Sequence, residues 1–283
     1  MLQTIREKAA GLLAAGEVEG VLGLSRDPNG AVQPRLFREA AELDGLAIAP
    51  KWNLAKLAAQ LLRGPAAPSR MAVLCRGCDG RALVELAKRN QVDPARVVAV
   101  GYTCSREQAA ACLCTRPWPE GEGTGERATG IDPFADPRFA ALLTGDAGER
   151  MARWTALLGR CIKCYGCRNA CPICLCSPCK LEEDLWVERS ALPAELIPHH
   201  LIRAFHLADT CVACGACQEA CPVGIPLLAL QLGMRRSLQE NYGYEAGRAA
   251  EGKSPLLQNF AQAAPAGLAL PAWTASNEEP HER

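Results

Sequence analysis

Aromatic residues are scarce, 5% of the 283, so the stacking platforms of a single-strand nucleic-acid binder are missing. No charge of either sign is in excess: Lys+Arg and Asp+Glu are 31 each and the net charge is zero. That removes the electrostatic case for nucleic acid, which needs a basic surface. Long apolar runs are absent too. A stretch such as Leu54–Leu62 falls far short of the ~20 residues a membrane span needs. Met1–Gly16 interleaves charged and apolar residues on a helical period, with neither the apolar core of a secretory signal nor a twin-Arg pair. The expectation is a soluble, cytoplasmic protein. No G-x-G-x-x-G follows a strand, and there is no phosphate loop and no nucleophile elbow. The four histidines, His199, His200, His206 and His281, have no partners at zinc or catalytic spacing; a surface position outweighs a cluster-tuning role for His206.

Cysteine is abundant instead. The chain has sixteen, and eleven lie between Cys161 and Cys221. A small secreted domain would use them as disulfides; short fixed spacings in a cytosolic chain indicate metal ligands. The run Cys161, Cys164, Cys167, Cys171-Pro172 returns fifty residues later as Cys211, Cys214, Cys217, Cys221-Pro222. This C-x2-C-x2-C-x3-C-P pattern is the bacterial ferredoxin signature, in which the fourth thiolate serves the other cluster. One [4Fe–4S] cluster is therefore expected on Cys161, Cys164, Cys167 and Cys221, and a second on Cys211, Cys214, Cys217 and Cys171. Zinc knuckles are the weaker alternative, because zinc favours paired CxxC or Cys/His sets.

Two further thiol groups are candidates. Cys174, Cys176 and Cys179 can hold a third metal site with one ligand from elsewhere, or stand as extra thiols near the first cluster. In the N-terminal part, Cys75 and Cys78 end one expected strand and Cys104 follows the next. Ligands of parallel α/β sheets gather at that edge, so Cys75, Cys78 and Cys104 with Cys114 or Cys112 form a possible N-terminal site. A redox-active dithiol and ordinary buried thiols are its rivals.

Composition divides the chain into an α/β domain at 1–115, a Pro/Gly-rich linker at 116–137, an α-helical dicluster ferredoxin domain at 138–245 and a C-terminal extension at 246–283. The overall class is α+β. Strands are expected at Glu17–Leu24, Leu46–Ile48, Met71–Leu74 and Val97–Val100, and strand–helix–strand over 71–100 implies a partly parallel sheet. Asp79 is placed as N-cap of the intervening helix. Apolar periodicity marks helices before each cysteine run, through Met151, Trp154 and Leu158 and through Leu201, Phe205 and Ala208. A further helix follows the second run, with Leu227, Leu230, Met234 and Leu238 as its stripe. Tyr242 and Tyr244 are read as packing residues, and Ala263–Arg283 as a tail.

The stretch Cys75-Arg-Gly-Cys-Asp-Gly-Arg81 after a strand, followed by Val98-Ala-Val-Gly-Tyr-Thr-Cys104 and accompanied by Trp52-Asn53-Leu54, resembles the N-terminal domain of the coenzyme F420 hydrogenase/dehydrogenase beta-subunit family. The resemblance covers roughly residues 15–105. The family's larger flavin-containing region is not recognisable. In its place stands a module similar to the small iron–sulfur subunit of heterodisulfide reductases. The resemblance implies an electron-transfer subunit of a multisubunit oxidoreductase. Its expected partners are a hydrogenase- or formate dehydrogenase-type catalytic subunit and a heterodisulfide-reductase-like flavoprotein. The alternative is a beta-type subunit that binds FAD and reduces a soluble carrier. Zinc-bearing adaptor chemistry is a third reading.

Overall fold

The computed structural model describes residues 1–176, 178–183 and 196–256. Strands β1 (Val21–Arg26), β2 (Val32–Phe37), β3 (Leu46–Ala47), β4 (Met71–Cys75) and β5 (Val97–Gly101) form one mixed sheet. The order is β2-β1-β4-β5, with β3 on the β1 edge. β1, β4 and β5 are parallel neighbours, whereas β2 and β3 run antiparallel to β1. The class is α+β, as the sequence indicates. β4 is buried along its whole length, which is why it reads as a continuous Met-Ala-Val-Leu run rather than an alternating one.

β2 is not among the expected strands. It alternates half-buried and exposed positions and carries Pro34, which only an edge strand tolerates. Its signal is the Asp27-Pro28-Asn29-Gly30 turn. There Gly30 N donates to Asp27 O at 3.0 Å and Ala31 N to Asp27 Oδ1 at 2.8 Å, the Asx-type closure that starts a hairpin.

Helices α1 (Leu2–Ala14), α2 (Ala55–Leu61) and α3 (Gly77–Lys88) pack around this sheet. Leu22, Phe37, Met71, Leu74 and Leu86 form its dry centre. α3 starts earlier than expected. Arg76 is its N-cap, and Asp79, one turn inside, accepts from Arg76 N at 3.0 Å and from Leu54 N at 2.9 Å. The helix can begin there because Gly77 has no side chain: a Cβ would lie 2.1 Å from Trp118 O. The Pro/Gly-rich stretch after α4 (Arg106–Ala111) runs along the sheet edge. Cys104 N donates to Pro117 O at 2.8 Å, Thr103 N to Thr124 O at 3.0 Å, and Ile131 N to Cys114 O at 2.9 Å.

The second half is helical: α5 (Pro137–Leu143), α6 (Ala147–Leu158), the single turn α7 (Gly166–Asn169), α8 (Leu196–His206), the single turn α9 (Ala216–Glu219) and α10 (Leu227–Tyr242). Asp146 and Glu149 close a reciprocal capping box on α6 at 2.9 Å in each direction. Two stripe residues correct the sequence reading: Met151 is 58% exposed and Phe205 64% exposed. α8 turns His199, His200, Arg203 and Ala204 inward instead, because what it covers is thiol rather than hydrocarbon. Residues 246–256 return to the first half, where Gly247 N donates to buried Glu85 at 2.7 Å. The expected tail Ala263–Arg283, with His281, lies outside the described residues.

Candidate metal centres

The two cysteine runs repeat in backbone as well as in sequence. Lys163 and Tyr165 in the first and Ala213 and Gly215 in the second have positive φ, between 52° and 74°. Each pair brackets the second cysteine of its run, and each run then enters a single helical turn, α7 or α9. Alternating left- and right-handed residues turn successive N–H groups toward one point, a nest for an anion. Ala213 N accordingly donates to Cys211 Sγ at 3.4 Å, and Lys163 N makes the matching bond to Cys161. Only Gly adopts this conformation freely; Lys163, Tyr165 and Ala213 hold it against a steric cost of about 1–2 kcal/mol each.

Cys171 from the first run and Cys211, Cys214 and Cys217 from the second line one small cavity, with Arg203, Leu207, Leu228 and Gln231. Burial pushes the Cys211 and Cys214 thiols up and the Cys217 thiol to about 12. A metal that replaces the proton removes that penalty. The other set lies nearer the surface. Cys161 is close enough to feel Cys164 and Cys221, and Cys167 feels Cys161 and Cys164. Cys164 is exposed and Cys167 buried. Ile225 N donates to Cys221 Sγ at 3.4 Å.

Between the sets stands Arg203, 5% exposed, donating to Cys167 O at 3.1 Å. The groups that hold its charge are Cys171, Cys174, Cys167 and Cys217. Sequence reasoning missed this residue; its signal is a charge in register with the inward positions His199 and His200 of α8.

Cys174, Cys176 and Cys179 line a second cavity of about 220 Å³ against α8, with Arg168, His199, Arg203 and His206. A third cavity, of about 170 Å³, lies at the carboxyl end of the parallel strands. It brings together Cys78, Cys104, Cys112 and Cys114. Cys78 sits in the first turn of α3, Cys104 follows β5, and Cys112 and Cys114 follow α4 on either side of Leu113 at φ 49°. Cys75 does not join them. It ends β4 as a fully buried part of the sheet core, three residues before the thiol that reaches the cavity. Burial pushes the Cys104 thiol to about 11 and the Cys78 thiol higher still.

This last cavity adjoins the ferredoxin half, since Cys214 lines both. Lys51 spans the two sites. Its Nζ lies 3.2 Å from Cys112 Sγ, donates to Cys214 O at 2.7 Å and pairs with Glu219 at 2.7 Å. Arg76, 2% exposed, lies over the Tyr102 ring at 5.3 Å and donates to Trp52 O at 3.3 Å, so the Trp52-Asn53-Leu54 and Cys75–Arg81 elements touch. Among the described residues no three ligating side chains gather as a single ion demands. A cube asks for less crowding, because each thiolate takes a different iron.

A 4Fe-4S binding domain matches residues 206–226, the second run. The beta subunit of the F420-dependent formate dehydrogenase of Methanocaldococcus jannaschii is 38% identical over 97 residues, 34% of this chain and 26% of the relative. The beta subunit of F420-dependent formate dehydrogenase 1 of Methanococcus maripaludis is 42% identical over 94 residues, 33% of this chain and 24% of the relative. Over about a third of its length the chain is similar to these F420-dependent formate dehydrogenase beta subunits, and it carries a module that binds a 4Fe-4S cluster. The chain spans about a quarter of the length of these relatives. No described helix is long and apolar enough to cross a membrane.

Proposed function

We propose that this chain is a cytoplasmic electron-relay subunit with two [4Fe–4S] clusters in its ferredoxin module. One is held by Cys161, Cys164, Cys167 and Cys221, the other by Cys211, Cys214, Cys217 and Cys171. The observation that carries this reading is Arg203, a buried guanidinium whose opposite charges are thiolates of both sets. An unpaired buried cation costs several kcal/mol, and anionic clusters on either side remove that cost. The donor set fits: four thiolates per site, amides aimed at sulfur, and no carboxylate in either set.

Bound clusters supply single-electron transfer; the protein holds them, shields them and sets their potentials. Lys163 and Ala213 amides donate to sulfur, Arg203 offsets charge, and Leu207 and Leu228 keep water from the deeper site. A cluster on Cys78, Cys104, Cys112 and Cys114 extends the relay into the α/β domain, with Cys112 where the sequence reading had Cys75. Lys51 links it to the deeper ferredoxin site, and the surface-near site faces a partner. The relatives' names support a formate dehydrogenase-type catalytic subunit as one partner; a heterodisulfide-reductase-like flavoprotein is the other.

Anaerobic purification with iron, sulfide, zinc and flavin quantitation tests the reading. About eight irons per chain or more are expected. About two irons, or stoichiometric zinc, overturns it. Cys171→Ala is expected to remove the cluster on Cys211, Cys214 and Cys217 and spare the one on Cys161. The reverse loss breaks the crossed ligation.

A further inference from the structure

Lys51 stands in the segment between β3 and α2, and its backbone is clamped on both sides. The buried guanidinium of Arg76 donates to Pro50 O at 3.4 Å and to Trp52 O at 3.3 Å, the carbonyls before and after it. The side chain lines the cavity of Cys78, Cys104, Cys112 and Cys114. An ammonium has three N–H donors and no acceptor, and three partners from different parts of the chain surround this one. Nζ lies 3.2 Å from Cys112 Sγ in the α/β half, 2.7 Å from Cys214 O in the second ferredoxin run and 2.7 Å from a Glu219 carboxylate oxygen at the end of α9. The charge is thereby fixed at one point between the two halves.

Its contacts are unequal. Toward the α/β site Nζ meets a sulfur; toward the ferredoxin site it meets the peptide oxygen of a cysteine. Glu219 offsets part of the charge, but from the rim: its side chain is 49% exposed against 17% for Lys51, so water screens the carboxylate more than the ammonium. Arg76 and Arg116 also line the cavity. Arg76 is committed to backbone carbonyls and Arg116 pairs with Glu120 at 2.8 Å, which leaves Lys51 as the cation at hydrogen-bond distance from a cavity thiol among the described residues. The two sites are neighbours, since Cys214 lines both cavities and a charge on Cys78 acts on its thiol. An N–H bond to a ligating sulfur and a nearby positive charge both favour the more negative, reduced form of a cluster, and so raise its reduction potential.

We infer that Lys51 is a positioning residue of the relay: its ammonium, shared between Cys112 Sγ and Cys214 O, holds the α/β centre at a higher reduction potential and so favours the electron on the α/β side of the pair. This rests on the reading of Cys78, Cys104, Cys112 and Cys114 as a cluster site, and adds the group that ranks that centre against its ferredoxin neighbour. The transfer moves one electron from one cluster, which is oxidised, to the other, which is reduced; no bond forms or breaks.

The test uses the full chain, purified anaerobically, in redox titrations followed by electron paramagnetic resonance. The double variant Cys104→Ala with Cys114→Ala removes two of the four thiolates; the centre it loses, with about four irons, is the α/β one. Lys51→Met is expected to keep its iron and to shift that centre's potential negative, by more than any other. Lys51→Arg keeps the charge and should restore the potential. Lys56→Met removes a lysine that also spans the halves, through Asn169 O at 3.3 Å, but does not line the cavity; it should leave that potential in place. The inference is overturned if Lys51→Met shifts nothing, if Lys56→Met shifts the potential equally, or if Lys51→Arg fails to restore it. Should Lys51→Met lose iron, Lys51→Gln decides: a potential below that of Lys51→Arg supports the inference, and loss of iron here too overturns it, because the role is then assembly. Failure of the underlying reading looks different: the double variant then keeps the iron and every potential of the wild type.

Discussion

The two halves of this chain are stabilised by different means. The α/β half has a dry centre, with Leu22, Phe37, Met71, Leu74 and Leu86 all at or near zero exposure. Among the described residues the helical half has small apolar patches. One is Leu158, Ile225 and Leu227 around Cys167 and Cys217; the other is Phe139, Leu228 and Leu232. Its buried groups also include His199, His200, Arg203, Asp209 and Gln231. A hydrophobic core is self-sufficient, since burial removes apolar area from water. A core of thiols and cations is not, because its charges balance only when metal is present. The halves meet where Ile173, Leu207 and Val212 join the sheet core.

The largest expected effect tests that contrast directly. Stripping iron with an oxidant and chelator should open α8 and α10 to hydrogen exchange while β1, β4 and β5 stay protected. If both halves lose protection together, the contrast fails.

Arg203→Met comes next. It leaves the thiolates of both ferredoxin sites without their shared buried cation, so a loss of about 3–5 kcal/mol in unfolding free energy is expected for the iron-loaded chain. Both ferredoxin potentials should also shift negative in a redox titration. Unchanged potentials would make Arg203 a packing residue only. Leu74→Ala probes the other half. A cavity in β4 should cost about 2–5 kcal/mol in denaturant unfolding with iron content unchanged; iron loss here would show that the sheet, too, depends on the clusters. The smallest effect belongs to the surface of α10, where Arg236 pairs with Glu240 at 2.7 Å. Glu240→Gln should leave the unfolding midpoint and the iron content where they were, because water and salt screen such a pair.

Much of this was legible in the residues. Spacing announced the repeated cysteine runs and the 4Fe-4S module, and the Met71–Cys104 stretch announced a βαβ unit. β2 was legible but unread: its Asp-Pro-Asn-Gly turn is a hairpin signal, masked by Pro34 in the strand. The exposure of Phe205 was not legible, since helical period shows that α8 is amphipathic but not that its inward face meets thiols. Asp79 fits an N-cap position by residue type. That Arg76 takes that place depends on the Trp118 carbonyl, which comes from a segment forty residues away and leaves room only for glycine.

What the sequence by itself determined is the chemistry: sixteen thiols, their repeat and the module they specify, because ligand spacing within a run is a local property of the chain. Only the tertiary structure decided which distant thiols share a cavity. It set Cys75 into the sheet core and admitted Cys112 beside Cys78, Cys104 and Cys114. It placed Lys51 between that cavity and Cys214, and set His199 along one cavity with Cys174, Cys176 and Cys179. These are contacts between residues far apart along the chain, fixed by which faces of sheet and helix must be buried together, and no local spacing encodes them.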